Sequence, residues 1–212
     1  MLKRSLWIAC WVLIIGVGMM LWIRSQPENA VGGILTDRPC APPCWQGITP
    51  GMVATRDELT RRLRRIPGVK TIWENGPCVM WLWDRWEGYS SICVDQDNVV
   101  RSISLSVDFD LTVKEIIDKY GPPDATNAVY GGVPEHPYVA MNLLYPVHGM
   151  WVRAKVLPDY NPTLEPTTKV YEVLYVAPSD SLENWPGVDI TNLHLQPWPG
   201  YGALPPDFIA QP

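Results

Sequence analysis

The stretch Thr55-Arg56-Asp57-Glu58-Leu59 decides the fold, because its pattern returns 57 residues later as Thr112-Val113-Lys114-Glu115-Ile116. In each copy a threonine precedes a glutamate by three residues. The threonine hydroxyl can then accept from the backbone N–H of the glutamate, while the carboxylate accepts from that of the threonine. This capping box is typical of a helix start, so two matching starts predict two copies of one structural unit.

Both predicted helices are short and are followed by strands. Each carries apolar residues four apart, Leu59 with Leu63 and Ile116 with Tyr120, and each ends at a Gly and Pro signal. Alternating or apolar runs then predict strands near 69–74, 78–84, 89–94, 99–108, 125–130, 138–145, 150–157 and 169–177. The predicted class is α+β: two tandem helix-plus-antiparallel-meander repeats that form one antiparallel sheet with both helices on one face.

Composition and patterning divide the chain into five segments. Hydrophobic residues make up 47% and charged residues 18% of the 212, which are globular values, while the 22 prolines mark linkers and loops. The aromatic residues of the tail favour partial docking on the domain over disorder. The segments are a cytoplasmic stub and transmembrane anchor (1–24), a Pro/Gly linker (25–47), the first repeat (48–110), the second repeat (111–178) and a Pro- and aromatic-rich tail (179–212).

The N-terminal stretch predicts a membrane span. Residues 6–23 carry no charge and would extend roughly 27 Å as a helix, close to the thickness of a hydrocarbon core. Lys3 and Arg4 outnumber Arg24, which predicts a single-pass protein with a cytoplasmic N-terminus and the domain outside. Cleavage as a signal peptide and lipidation at Cys10 are the alternatives.

Four cysteines follow the anchor: Cys40, Cys44, Cys78 and Cys93. An even number in an exported segment predicts disulfides. In a hairpin of 78–84 with 87–93 the opposed positions sum to 171, so Cys78 faces Cys93 and Cys40 is left with Cys44. Crosswise pairing stays open. Cys40-x-x-x-Cys44 also resembles the motif of copper chaperones with a thioredoxin fold, which gives a thiol or copper-handling envelope protein as an alternative function.

Two groups of residues are candidate binding surfaces. The first helix has a cationic surface that would contact anionic headgroups or a cell-wall polymer, or would simply be a solvated face; it consists of Arg56, Arg61, Arg62, Arg64 and Arg65. A run of tryptophans would either stack on a saccharide or fill the core; it consists of Trp81, Trp83 and Trp86. The formal net charge of −5 argues against nucleic acid as a partner.

The sequence offers no catalytic signature. Its three histidines, His136, His148 and His194, lie far apart, and none belongs to a nucleophile or metal-ligand motif. We therefore expect no enzyme activity, no cofactor and no metal.

The repeat motifs support a family resemblance. Residues 48–52 with Thr55 and Glu58, and residues 111–115 with 120–123, look like the repeats of β-lactamase-inhibitor-like proteins. In shape they are also similar to the small lipoprotein of the outer-membrane β-barrel assembly machinery. The resemblance implies a binding protein rather than an enzyme. Together these features predict a membrane-tethered extracytoplasmic binding or assembly module, whose partner is an envelope protein or a cell-wall polymer.

Overall fold

The structure is a computed structural model that describes residues 34–35, 37, 40–84, 88–133, 136–157, 162–185 and 193–210. Two α-helices lie in these ranges, α1 (Arg56–Leu63) and α2 (Val113–Tyr120). The strands are β1 (Val69–Asn75), β2 (Cys78–Trp83), β3 (Tyr89–Val94), β4 (Val100–Thr112), β5 (Ala125–Val133), β6 (His136–Tyr145), β7 (Met150–Val156), β8 (Thr163–Leu164), β9 (Lys169–Val176), β10 (Gly202–Ala203) and β11 (Ile209–Ala210). Short 3-10 helices occupy Pro146–His148 and Pro206–Phe208.

The predicted α+β class is wrong, because the described residues form a mainly β protein. Nine strands build one large sheet, whereas each α-helix has eight residues. Each helix has about two turns: Gly121-Pro122 ends α2 directly, whereas α1 ends at Leu63, four residues before Pro67. Helices of this length cover only a small part of such a sheet.

The predicted single-pass anchor and the localisation built on it are also corrected. Among the residues that the structure describes, no helix is both long and apolar enough to cross a membrane. The stretch 6–23, from which the span was predicted, lies outside the described residues.

The large sheet consists of two halves that lie side by side and join at a central strand pair, β4 and β9, which we call the seam. The strand order is β1-β2-β3-β4-β9-β7-β6-β5-β11, so the second half repeats the first in reverse. At the seam β4 pairs antiparallel with β9, and Ser104 lies opposite Leu174. One strand further out on either side, Ser104 pairs with Ser91 and Leu174 pairs with Trp151.

Matching irregularities show that the two halves are related by an approximate two-fold axis at this seam. The β3–β4 ladder changes register between Cys93 and Val94. The β7–β9 ladder changes register between Arg153 and Ala154. In β3 the change begins two residues after Ser91, and in β7 it begins two residues after Trp151. The two halves therefore correspond position by position.

Both predicted helix starts are confirmed. The Thr55 hydroxyl accepts from the backbone N–H of Glu58 at 3.3 Å, and the Thr112 hydroxyl accepts from that of Glu115 at 3.3 Å. Only α2 has the reciprocal bond, in which the Thr112 N–H donates to the Glu115 carboxylate at 2.8 Å. In α1 the Glu58 carboxylate pairs with Arg62 instead, at 2.6 Å.

One hydrophobic core joins the helices to the sheet. Leu59 and Leu63 of α1 and Val113 and Ile116 of α2 are fully buried in the same cluster. The cluster also takes one set of alternating strand residues from both halves, among them Val79, Trp81, Ile92, Ile103, Leu105, Val107, Val152 and Val173. Residues before α1 join it too, since Ile34 is fully buried and Trp45 is 2% exposed.

Candidate functional site

The strand residues that alternate with the core positions form a second face, which we call the outer face. Burial alternates regularly along β2 and β3, where every second residue is buried in the core and its neighbours are partly or largely exposed. Side chains of adjacent residues point to opposite sides of a sheet. The outer face therefore lies on the far side of the sheet from α1 and α2.

In the second half the C-terminal tail covers the outer face. Leu144, Val176 and Trp185 form a buried cluster against which four further apolar residues pack: Trp151, Leu174, Leu182 and Leu195. The indole N–H of Trp185 donates to the carbonyl of Ala177 at 3.0 Å. Thus part of the tail docks on the domain, as its aromatic content predicts, while 186–192 lie outside the described residues.

The tail also covers the edge of this half. Thr126 of β5 and Gln196 exchange two backbone hydrogen bonds, at 2.8 and 2.7 Å. Further along, β11 adds to β5 as a parallel strand, with Ile209 opposite Ala128. An unpaired strand edge is a template for association with another chain, and the tail removes it here.

In the first half, no described residue covers the equivalent surface, which we call the open face. Trp73, Met80 and Leu82 are partly exposed and belong to neither hydrophobic cluster of the described residues, while Tyr89 is 61% exposed. The two-fold relation places Met80 at the position of Leu144, which the tail buries. The open face consists of Thr71, Trp73, Met80, Leu82, Tyr89, Ser91, Ser104 and Ser106.

The open face carries no charge and ends at a polar network on the seam. The Ser104 hydroxyl donates to the Glu172 carboxylate at 2.6 Å, and Arg153 pairs with the other oxygen of that carboxylate at 2.8 Å. The Arg153 guanidinium lies over the Trp151 ring, 5.0 Å from its centroid. This network separates the open face from the half that the tail covers.

The backbone edge next to the open face belongs to β1. This strand lies at the end of the sheet, and no described strand pairs with its free side. Its ladder with β2 is irregular between Val69 and Thr71, which leaves Lys70 unpaired in the register. Residues 71–75 remain regular, so the free edge lies directly beside Trp73.

The structure buries the tryptophans that were predicted as a saccharide platform. Trp81 is fully buried and stacks on Trp45 at 5.3 Å between ring centroids. Trp83 is 4% exposed and its indole N–H donates to the Ser90 hydroxyl at 3.0 Å. Neither ring has a free face for a sugar, so both are core residues; Trp86 lies outside the described residues.

The arginines of α1 fall into two groups. Arg56 pairs with Glu74 at 3.0 Å and donates to the carbonyl of Gly76, and Arg62 pairs with Glu58. Both guanidinium groups are therefore already held by other residues of this protein. The others, Arg61, Arg64 and Arg65, are exposed.

Both disulfides are present as predicted. Cys78 and Cys93 are opposed in the β2–β3 register and bonded, with a Cα–Cα distance of 4.0 Å, and Cys40 is bonded to Cys44 at 5.6 Å. Crosswise pairing is therefore wrong. In the part of the chain that the structure describes, no three His, Cys, Asp or Glu side chains come together as a metal site.

The two disulfides are expected to stabilise the protein unequally. Cys78–Cys93 spans 15 residues and Cys40–Cys44 spans 4. On the loop-entropy relation, losing the first costs about 3 kcal/mol and losing the second about 2 kcal/mol. Urea unfolding of the two Cys→Ser double variants checks this order. A larger loss for the Cys40–Cys44 variant would show that the segment before α1, rather than the β2–β3 hairpin, is the more dependent on its cross-link.

Two tyrosines near the core, Tyr120 and Tyr145, are hydrogen-bonded structural residues. Burial raises the pKa of both Tyr120 and Tyr145, so both are protonated at neutral pH. The Tyr145 hydroxyl donates to the carbonyl of Gly121 at 3.1 Å, and that of Tyr120 donates to Ile34. His148 lies beside the Tyr120 ring, at 5.2 Å between centroids, and His194 is exposed.

Comparison with known proteins does not assign the chain to a family. No family model matches the chain, and no curated protein matches it. Among solved structures, a DUF4309 family protein (YjgB) from Bacillus subtilis is similar over 70% of this chain and 97% of its own, with 10% identity and a TM-score of 0.38. The resemblance to β-lactamase-inhibitor-like proteins stays a prediction.

Proposed function

We propose that this protein is a non-catalytic binding module that takes an extended polypeptide segment of a partner protein on its open face. The observation that carries the proposal is the difference between the two halves. In the second half the tail covers both the outer face, through Trp185 at the end of a turn, and the β5 edge, through the strand-like pairing of Gln196 and β11. In the first half, the same face and the same edge have no cover among the described residues.

The chemistry of the open face suits such a segment. Trp73 and Tyr89 are the residue types that most often anchor protein interfaces, because they bury large area and keep a polar group. Met80 between them adapts its shape to a partner side chain. Along the free side of β1, backbone N–H and C=O groups beside Trp73 can pair with an added strand.

The serines explain why the chain's own tail does not occupy this half as well. At the positions of Trp151 and Leu174, which pack against the tail, the first half has Ser91 and Ser104. Replacing these apolar side chains by serine removes most of the area that a Leu- and Trp-rich segment would bury. The open face therefore favours a partner with polar side chains above β3 and β4.

A peptide-display selection on the full chain tests the proposal. We expect enriched peptides in which apolar residues alternate, because a strand presents every second side chain to one face. Met80→Arg should weaken their binding about tenfold or more, because it places a charge in the middle of an apolar contact. Gln96→Arg, in the exposed β3–β4 turn, adds the same charge away from the face and should bind like wild type.

The result that would overturn the proposal is equally specific. It is an absence of enriched peptides, or enriched peptides that bind Met80→Arg as tightly as wild type. Ser91→Arg serves as a second variant on the same face. Thermal unfolding of each variant is compared with wild type, so that a loss of binding is not a loss of folding. A neutral glycan panel run in parallel would reveal whether the aromatic and serine residues take a saccharide instead.

A further inference from the structure

A second surface, at the C-terminal end of α1, is rich in basic residues and is not part of the open face. Residues 59–73 contain five basic residues and no acidic one, although the protein carries a net charge of −5. Four of them are exposed: Lys70 of β1, and three at the end of α1, Arg61, Arg64 and Arg65. None of these three forms an ion pair with any residue that the structure describes.

Both lysines of the matching helix are neutralised by acidic side chains. In α2, which matches α1 in the other half, Lys114 pairs with Asp118 at 2.5 Å and Lys119 pairs with Asp37. In α1, Arg62 is held by Glu58. Three arginines without an ion pair to a described residue therefore lie together at one end of α1, whereas both lysines of α2 are paired.

The helix places these arginines on a common surface. Residues three apart are neighbours on a helix, so Arg61 lies beside Arg64, the C-cap residue of α1, and Arg65 lines the same surface depression as Arg61. Arg61, Arg62 and Arg65 line a shallow depression of about 560 Å³, together with Gln46, Ile66, Pro67 and one acidic residue, Glu58, which is paired with Arg62. Like charges at this spacing repel each other, and a bound anion would relieve that repulsion.

The partial negative charge at the C-terminus of α1 accounts for some of these arginines but not for all of them. The carbonyl end of a helix carries partial negative charge, which stabilises cations in the last turn. That effect falls off within one turn, where Arg61 and the paired Arg62 already lie. Two further arginines follow the helix at positions 64 and 65, beyond its last residue Leu63.

We propose that Arg61, Arg64 and Arg65 bind a polymer with repeated anionic oxygens, such as phosphates or carboxylates. Guanidinium groups form paired hydrogen bonds with both kinds of oxyanion. Side chains three and four apart on a helix lie roughly 5 to 6 Å apart at their β carbons, so neighbouring charges of a flexible polymer can reach them together. The shallow shape suits a chain that passes over the surface rather than a small molecule that is enclosed.

This surface is separate from the open face. Leu59 and Leu63 of α1 pack into the core on one side of the sheet, while Met80 and Trp73 lie on the other. The polymer and the polypeptide segment can therefore bind at the same time. One protein could then hold a partner protein against an anionic polymer.

Fluorescence anisotropy with labelled inorganic polyphosphate and labelled polyglutamate, at low salt, tests the site on the full chain. Arg61→Ala/Arg65→Ala should weaken binding of the preferred polymer about tenfold or more, because two charge-assisted contacts are lost. Lys114→Ala/Lys119→Ala removes the same charge from α2 and should change binding less than about threefold. Affinity should fall as salt rises, because exposed charges are screened.

Two outcomes would overturn the proposal. One is the same loss of affinity in both double variants, which would show only an effect of net charge. The other is no saturable binding of either polymer at low salt. Tighter binding of polyphosphate than of polyglutamate would assign the site to phosphates, and the reverse order to carboxylates. Because Met80→Arg leaves α1 intact, it should bind the polymer like wild type, which keeps this test independent of the proposed peptide site.

Discussion

Replacing Trp81 with alanine should lower the free energy of unfolding by about 3 to 5 kcal/mol, the range for a large aromatic side chain removed from a core. Trp81 is fully buried, stacks on Trp45 at 5.3 Å and meets Trp83 edge-on at 6.0 Å between centroids. The variant therefore leaves a cavity beneath α1 that its neighbours cannot fill without moving. Urea unfolding followed by circular dichroism measures the loss.

Trp73→Ala is the matched control, since it removes the same side chain from the open face of the neighbouring strand. Trp73 is partly exposed and lies outside both hydrophobic clusters of the described residues. Its loss should cost about 1 kcal/mol or less. Equal losses for the two variants would contradict the assignment of Trp81 to the core and Trp73 to a surface. Trp81→Phe should lie between them, because phenylalanine fills part of the space and removes an indole N–H that has no acceptor among the described residues.

Local patterns in the sequence predict local structure well in this protein. The Thr55 and Thr112 capping patterns each place a helix start correctly, because a cap depends on residues within one turn. The β2–β3 register follows from the arithmetic of a hairpin, in which the pairing of one residue fixes the rest. Cys78 and Cys93 meet for that reason.

Properties that depend on distant segments were not predictable in the same way. The class was wrong because two capping boxes indicate where helices begin but not that each has only eight residues beside a nine-stranded sheet. Trp81 and Trp83 were candidates for a platform, and their burial depends on Trp45, which lies 36 residues earlier than Trp81.

The open face shows the same limit most clearly. Trp73 and Met80 lie on the side of the sheet away from the core, but β2 is apolar at every position from 79 to 83 and β1 does not alternate, so the sequence does not show which face is covered. In the second half the cover is the tail, which follows β9, the last strand of that half. No signal within β1 or β2 carries that information, so the difference between the halves emerges only from the assembled sheet.

Gly149→Ala should destabilise the protein by about 3 kcal/mol or more, the upper range for forcing extra atoms into a packed site. Gly149 ends the 3-10 helix Pro146–His148 with φ of 56°, a left-handed conformation that disfavours a Cβ. An added Cβ would lie 2.3 Å from the carbonyl oxygen of Val176 and 3.1 Å from Cβ of Pro43. Both neighbours are constrained, the first by the end of β9 and the second by the Cys40–Cys44 loop.

Gly47→Ala separates the two contributions to this destabilisation, which are the left-handed backbone and the close contacts of the added Cβ. Gly47 also has a positive φ, 73°, but a Cβ there would meet no described atom within 4 Å. Its substitution should cost about 1 to 2 kcal/mol, the price of the left-handed backbone alone. Urea unfolding of the two variants, with unchanged m values, measures the difference. If both lost the same amount, the close approach of Val176 and Pro43 would contribute nothing. A larger loss for Gly149→Ala would show that the contacts of the added Cβ with Val176 and Pro43, at the turn that leads into β7, add to the cost of the left-handed backbone.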